Sequence, residues 1–296
     1  MERGFAEGSI KEEKVFGDAV FPKTLLPWST SMSSARDLAE TVQRERPSLS
    51  RTLQSHGAIL FRGFQVRSAD EFDRVVRAFG WEDIPYVGAA ERVSVTDRVY
   101  TANEVPLDVF INFHHEMAFA RQSPSKIFFF CSEPSPEGGE TSILPSQVVA
   151  EKMEERLPEV TAKLSEVGLT FRFLIHKDKE AEKRQRLKLN YSRVDYKSDG
   201  STEFVFGPSS PIREVGGKKV WFLPFLGYNL TEVRKSFGDG SAVPASAAAA
   251  YEEILEENCV DVKWQKGDIL LLDNHAVQHA RRPGKSPRRV LVAVSK

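Results

Sequence analysis

The stretch "GDILLLDNHAVQHARRPGKSPRRVLVAV" (residues 267–294) contains two apolar runs, "DILLLD" and "RRVLVAV", separated by a polar segment. Short apolar runs bounded by turn-forming or charged residues predict buried β-strands. The run "CVDVKW" precedes them, and further strand-like runs, among them "SKIFFFCSE" (125–133), occupy the centre of the chain. Helical patterns lie near the N-terminus and between strands. Strands and helices do not alternate as in βαβ units. We therefore expect a mainly β fold with flanking helices, of the β-sandwich or jelly-roll type.

The N-terminal third adds a strand followed by a helix. The run "GAILFRGF" (57–64) predicts a buried strand, and "SADEFDRVVRAFG" (68–80) has the apolar spacing of an amphipathic helix. Ser68 and Glu71 predict a capping box at its N-terminus. The apolar residues that share one face of this helix are Phe72, Val75, Val76 and Phe79.

The composition limits the functions open to the chain. Lys and Arg number 41 against 42 Asp and Glu among 296 residues, giving a formal charge of −1, so we expect neither nucleic-acid nor membrane partners. Two cysteines, Cys131 and Cys259, form no metal-type or disulfide pattern. No secretory signal or run of roughly 18 apolar residues is visible, which predicts a cytoplasmic location. Nothing in the composition indicates an oligomeric state.

A cluster of ionisable residues interrupts the apolar run "INFHHEMAFA" (111–120). On a strand, His114 and Glu116 would project from one face and His115 from the other. A histidine and a carboxylate placed in this way can bind one metal ion together. Two of the other histidines, His275 and His279, follow the predicted strand "DILLLD". Either could complete the two-histidine, one-carboxylate arrangement that suits non-haem Fe(II).

Three other interpretations of these residues stay open at this point. Histidines on strands are commonly hydrogen-bonded core or surface residues. A site with two histidines and a glutamate could hold zinc for hydrolysis, although no helical H-E-x-x-H motif is present. A non-catalytic cupin-like binding protein would have the same barrel.

Three motifs, "FHHEMAF", "GGETSILPS" and "GDILLLDNHAVQHARRP…PRRVLVAV", occur in the order expected for the taurine dioxygenase and clavaminate synthase-like family. The upstream segments "GAILFRGF" and "TANEVP" also resemble this family, especially its plant members. The resemblance extends from about residue 55 to the C-terminus. It implies a double-stranded β-helix core (jelly-roll, cupin-like) in a single domain over residues 1–296. It also implies a dioxygenase that uses Fe(II), 2-oxoglutarate and O2.

The resemblance assigns the metal ligands residue by residue. It makes His114, Glu116 and His279 the iron ligands, because the pattern DN-x-x-x-x-H selects His279 over His275. His115 and His275 are then expected to support or pack around the site. Related halogenases have a small residue in place of the carboxylate, so Glu116 argues against halogenation.

The resemblance also predicts the co-substrate site. Thr141, in "GGET", matches a position that contacts 2-oxoglutarate. An arginine about ten residues after the distal histidine binds the far carboxylate of the co-substrate, and Arg289 matches best, with Arg288 as the alternative. A guanidinium suits this role because it can bind a carboxylate through two hydrogen bonds. Strand alternation allows only one of the two arginines to face the interior.

The expected reaction is hydroxylation of a small organic molecule with release of succinate and CO2. Desaturation or cyclisation with the same cofactors is the alternative. Asn103, just before the metal strand, is a candidate substrate contact, although a structural turn is the favoured interpretation. Phe222, Phe225 and Tyr228 could line an apolar pocket, but we favour core positions for them. The polar segment within residues 173–190 is expected to form a mobile lid with few core anchors.

Overall fold

The computed structural model describes residues 4–88, 92–102, 105–226 and 232–296, which form short strands and six α-helices. The helices are α1 (Ala35–His56), α2 (Ala69–Ala78), α3 (Ser146–Arg156), α4 (Pro158–Val167), α5 (Glu180–Arg186) and α6 (Ala245–Asn258), with a 3-10 turn at Thr30–Met32. The strands of the first half are β1 (Ala6–Gly8), β2 (Lys14–Phe16), β3 (Ala19–Phe21), β4 (Lys23–Leu26), β5 (Ala58–Phe61), β6 (Tyr100–Thr101), β7 (Ile111–His114), β8 (Lys126–Glu133) and β9 (Thr141–Pro145). Those of the second half are β10 (Leu169–Ile175), β11 (Arg193–Tyr196), β12 (Thr202–Ser209), β13 (Ile212–Val215), β14 (Lys218–Trp221), β15 (Glu232–Phe237), β16 (Val260–Val262), β17 (Ile269–Asp273), β18 (Val277–Arg281) and β19 (Arg289–Ser295).

Two sheets position the candidate site. A seven-stranded sheet has the order β1-β4-β5-β17-β8-β19-β6, and a four-stranded sheet has the order β16-β9-β18-β7. Neighbouring strands in both sheets are antiparallel, apart from the parallel pair β4 and β5. A second four-stranded sheet, β11-β12-β10-β15, and the hairpins β2-β3 and β13-β14 complete the strands described.

The packing of β8 explains why its sequence is almost continuously apolar. Ile127 and Phe129 join a cluster of buried residues drawn from the two site-bearing sheets, which includes Ile143 and Val277 of the smaller sheet. Phe128 and Phe130 point the other way, into a cluster shared with helices α1 and α2. A strand buried on both faces loses the usual alternation of polar and apolar residues. Its strand prediction is confirmed.

Helix α2 lies where the apolar spacing predicts it, and Phe72, Val75 and Val76 are buried. Ser68 caps it, because its hydroxyl oxygen accepts a hydrogen bond from the Glu71 amide at 3.2 Å. The prediction of a capping box is wrong for its second hydrogen bond, from the Ser68 amide to the Glu71 carboxylate. The Glu71 carboxylate accepts from the Arg67 amide at 2.7 Å instead of from the Ser68 amide.

Residues 173–190 are better anchored than their composition suggests. After β10 the chain makes a turn and forms α5, in which Arg186 is buried. Its guanidinium lies 4.7 Å from the centre of the Phe173 ring and donates to the Tyr191 hydroxyl at 3.0 Å. The expectation of few core anchors is therefore wrong, because the aromatic ring and the phenol accommodate the buried arginine. Gln185 donates to the Gly88 carbonyl at 2.7 Å, and the lid function stays a prediction.

The mainly β fold with additional helices is confirmed. None of the described helices combines the length and the apolar character that crossing a membrane requires. The assignment of residues 1–296 to one domain stays a prediction.

Candidate metal centre and co-substrate site

Two histidines face each other across the last two strands, β18 and β7, at one edge of the smaller sheet. His279 on β18 pairs with His114 on β7, and their ring centroids are 4.3 Å apart. Glu116 joins them, with its Oε2 atom 3.9 Å from Nε2 of His279. One ligand atom from each residue can be chosen such that all lie within 4.8 Å of one another. The structure thus brings together the three residues predicted as metal ligands.

The local geometry of Glu116 differs from the strand prediction. Strand β7 ends at His114, and Glu116 lies in the turn that follows. Met117 has a φ angle of 56°, which is unusual for a residue other than glycine. The Glu116 carboxylate therefore approaches His114 from a turn, whereas the prediction placed Glu116 on the same face of the same strand.

Asn274 holds this turn in place from the segment that links β17 to β18. Its Oδ1 atom accepts from the Glu116 amide at 2.8 Å, and its Nδ2 atom donates to the Glu116 carbonyl at 3.1 Å. Nδ2 also donates to the Pro124 carbonyl at 2.8 Å, and Asn274 itself is fully buried. Hydrogen bonds of this kind fix the orientation of a metal ligand. Asn274 belongs to the motif that selected His279, yet the sequence did not indicate this contact.

His115 points away from the three residues, as predicted. Its Nδ1 lies 2.5 Å from the Asn274 carbonyl oxygen and its Nε2 2.9 Å from the Ser146 hydroxyl, which fits a neutral imidazole that donates from Nδ1. Burial lowers the pKa of His115 to about 3. The ring stacks on Phe222 with centroids 4.5 Å apart. His275 is also outside the cluster, with its Nε2 atom 3.2 Å from the Ser123 hydroxyl.

The two clustered histidines are suited to bind a cation. Burial is the main cause that lowers the pKa of His114, and it holds the pKa of His279 well below its usual value, so both imidazoles are neutral. The His114 Nδ1 atom lies 2.7 Å from the Asn112 carbonyl, which leaves the lone pair of the ring on Nε2. Among the described residues, the buried Nδ1 of His279 has no hydrogen-bond partner. Two neutral imidazoles and one carboxylate fit a ferrous ion.

A buried arginine also belongs to this site, although sequence reasoning missed it. Arg92 donates from Nη2 to Oε2 of Glu116 at 2.6 Å, and only 6% of its side chain is exposed. Its guanidinium carbon lies 4.3 Å from the centre of the Tyr86 ring. Burial raises the pKa of Tyr86 to about 12, which keeps this phenol neutral. Arg92 lies in a loop with no recognisable motif, so no signal in the sequence pointed to it.

The predicted co-substrate residues lie at the start of β9 and just before β19. Thr141 is buried, and its hydroxyl oxygen accepts from the Trp264 indole at 3.1 Å. Arg288 is directed inward, donates from Nε to the Gly139 carbonyl at 2.7 Å, and has a pKa that burial lowers to about 10. Arg289 is exposed. The exposure of Arg289 contradicts its choice and favours the alternative, Arg288, whose binding of 2-oxoglutarate stays a prediction.

The physical reason for this correction is the register of β19. Val290, Val292 and Val294 pack into the core between the two site-bearing sheets. Alternation continued backward from these residues places residue 288 on the inner side and residue 289 on the outer side. The pairing with β8 is also irregular between Arg289 and Val290, which the sequence does not reveal.

The remaining candidates concern the substrate. Phe222 and Phe225 are buried in the largest hydrophobic cluster, so the interpretation as core residues is confirmed. Asn103 and Tyr228 lie outside the described residues, and the proposed contacts of both stay predictions.

Comparison with known proteins identifies the family. Residues 23–294 match the family described as taurine catabolism dioxygenase TauD, TfdA. A clavaminate synthase-like protein of Arabidopsis thaliana is 40% identical over 98% of this chain and 98% of its own length. The dapdiamide synthesis protein DdaC of Enterobacter agglomerans is 26% identical, covering 82% of this chain and 83% of its own. The PvcB protein of Pseudomonas aeruginosa has a similar fold, with a TM-score of 0.60 and 14% identity over 100% of this chain and 92% of its own.

The chain belongs to the TauD, TfdA family. This membership confirms the resemblance that the motifs indicated, and it makes the protein a 2-oxoglutarate-dependent dioxygenase with Fe(II) as its metal. It favours the oxygenase over the zinc hydrolase and the cupin-like binding protein.

Proposed function

We propose that the protein hydroxylates a small organic molecule, with His114, Glu116 and His279 holding Fe(II). The convergence of these three residues, with ligand atoms within 4.8 Å of one another, is the observation that carries the proposal. In the overall reaction a substrate C–H bond, 2-oxoglutarate and O2 give the alcohol, succinate and CO2. Bound iron would supply the redox chemistry that couples these two oxidations.

The protein's own residues would bind and orient the co-substrate. The inward guanidinium of Arg288 would bind the far carboxylate of 2-oxoglutarate, since burial strengthens a charge-assisted hydrogen bond. Thr141 would contact the same carboxylate from the start of β9, with its hydroxyl oriented by the Trp264 indole. The burial of Glu116 and His279 would keep bulk water from the reacting groups.

We also propose that the two sheets around the shared apolar core form the double-stranded β-helix of a single cytoplasmic domain. The cluster that joins residues of β8, β17 and β19 to residues of β9, β16 and β18 supports this interpretation. Desaturation or cyclisation would use the same residues and cofactors. The products decide between these reactions, because hydroxylation adds one oxygen atom to the substrate and desaturation removes two hydrogen atoms.

An anaerobic titration tests the proposed metal and co-substrate site. The purified chain with Fe(II) should develop a weak visible charge-transfer band when 2-oxoglutarate is added. His279→Gln should abolish the band because it removes one ligand. His275→Gln is the matched control and should retain it, since His275 contacts Ser123 outside the cluster. A band that survives in His279→Gln and is lost in His275→Gln would refute the ligand assignment.

A further inference from the structure

Two hydrogen-bond donor atoms of the buried Arg92 side chain have no acceptor among the described residues. Its Nη2 atom is paired with Glu116, but its Nε and Nη1 atoms are buried and have no partner among the described residues. Buried donors without acceptors cost free energy, and a buried cation costs more. An arginine in this condition is typical of a site that a ligand completes.

The position of the pair indicates the charge of that ligand. The Glu116 carboxylate lies 2.6 Å from the Arg92 guanidinium, so its negative charge offsets the positive charge of the arginine. Under the proposed function, Glu116 also shares its negative charge with a divalent cation, so Arg92 is left undercompensated beside it. Tyr86 offers the face of a neutral ring and cannot replace the missing charge. An anionic group on a bound molecule can do so, and a carboxylate matches the planar guanidinium.

We propose that Arg92 anchors the carboxylate of the primary substrate, so that the enzyme acts on carboxylic acids. This inference rests on the proposed function, since it assumes that Glu116 is a metal ligand. Two molecules could supply a carboxylate here, the primary substrate and 2-oxoglutarate. The inward Arg288, near Gly139, is the residue assigned to 2-oxoglutarate, which leaves Arg92 for the substrate.

A binding experiment without turnover tests this assignment. The full-length protein, saturated anaerobically with Fe(II) and 2-oxoglutarate, is titrated with acetate and, separately, with acetamide, its neutral analogue of similar size. The shift in thermal unfolding midpoint is measured at constant ionic strength. Acetate should stabilise the protein saturably, with an apparent affinity at least tenfold higher than that of acetamide. Equal effects of the two probes would overturn the inference.

Variants assign the effect to Arg92. In Arg92→Gln, the ratio of the apparent affinity for acetate to that for acetamide should fall at least tenfold. The affinity for 2-oxoglutarate should change less than threefold. Arg92→Lys keeps a positive charge beside Glu116 but lacks the planar guanidinium that binds a carboxylate through two hydrogen bonds. It should therefore lose most of the preference for acetate over acetamide, and it keeps the test possible if Arg92→Gln fails to fold. Arg234→Gln is the matched control and should retain the preference. It removes an arginine that also donates to a glutamate, Glu203, at 2.6 Å, but whose side chain is 64% exposed on another sheet.

The outcomes separate the possible roles of Arg92. If Arg92→Gln weakens the binding of 2-oxoglutarate at least tenfold and leaves the binding of acetate unchanged, Arg92 binds the co-substrate and the inference is wrong. If only Fe(II) affinity falls, Arg92 merely positions Glu116 and the inference is again wrong. Failure of the wild-type protein to form the charge-transfer band would refute the proposed function itself. A normal band without a preference for acetate would refute this inference alone.

Discussion

Replacing Asn274 with alanine tests whether the turn that carries Glu116 is held by that side chain. Asn274 makes three hydrogen bonds through its amide group, two of them to the backbone of Glu116 and one to the Pro124 carbonyl. Alanine makes none of them. Asn274→Ala should therefore destabilise the fold and also weaken metal binding.

The magnitude follows from these contacts. A neutral hydrogen bond contributes about 0.5–1.5 kcal/mol net, and the partners left behind here are buried, so we expect a loss of about 3 kcal/mol in the free energy of unfolding. Residues that orient a metal ligand typically change metal affinity by about 10–100-fold, and we expect a weakening within this range. Asn274→Asp should be at least as damaging, because a carboxylate would face the Glu116 and Pro124 carbonyls with no N–H to donate.

Urea denaturation and calorimetric titration with Fe(II) under anaerobic conditions measure the two effects. Asn258→Ala is the matched control, since Asn258 makes one side-chain hydrogen bond, to the Ile254 carbonyl at 2.8 Å, at the end of α6. It should lower the free energy of unfolding by only about 1 kcal/mol and leave Fe(II) affinity unchanged. A loss of stability in Asn274→Ala with unaltered Fe(II) affinity would show that Asn274 does not position Glu116 for metal binding.

Three further predictions follow from other parts of the structure. Arg288→Leu should weaken 2-oxoglutarate binding by about 2–4 kcal/mol, measured by calorimetry, whereas Arg289→Leu should have little effect because Arg289 is exposed; the reverse result would restore the original choice. Phe128→Ala should lower the free energy of unfolding by about 3–5 kcal/mol in urea, because Phe128 is fully buried; a loss below about 1 kcal/mol would contradict the packing described. Hydrogen bonds from Ser241 hold the pKa of Asp239 at about 2, below its usual value of 3.8, so its stabilising effect is present above the usual value and is lost as the pH falls toward 2. The stability difference between wild type and Asp239→Asn should therefore shrink over this pH range, and a constant difference would contradict the shift.

Apolar patterning carried most of the fold prediction. Runs such as "KIFFFCSE" and "DILLLD" are buried on both faces of the larger sheet, and the sequence pattern alone was enough to identify them as strands. The position of His114 on a predicted strand made it a candidate ligand, whereas His279 was selected over His275 only by the resemblance to the family. These features depend on residues close together in the sequence.

The missed features depend on contacts between distant residues. Arg92 meets Glu116 across 24 positions, from a loop without periodicity. The inward position of Arg288 follows from the alternation of β19, in which Val290, Val292 and Val294 pack into the core, and because β19 is buried on both faces only the folded structure shows which face is inner. The anchoring of Arg186 depends on the Phe173 ring and the Tyr191 hydroxyl, so a polar composition alone gave the wrong expectation for this segment.

Anomalous scattering at the iron edge, from crystals grown anaerobically with Fe(II) and 2-oxoglutarate, tests directly whether His114, Glu116 and His279 bind the metal. We expect one iron peak at bonding distance, about 2 Å, from a nitrogen of His114, a nitrogen of His279 and a carboxylate oxygen of Glu116. His115 should keep its contacts with Asn274 and Ser146. An iron peak next to His115 or His275, or no peak at the three predicted ligands, would show that the ligand assignment is wrong.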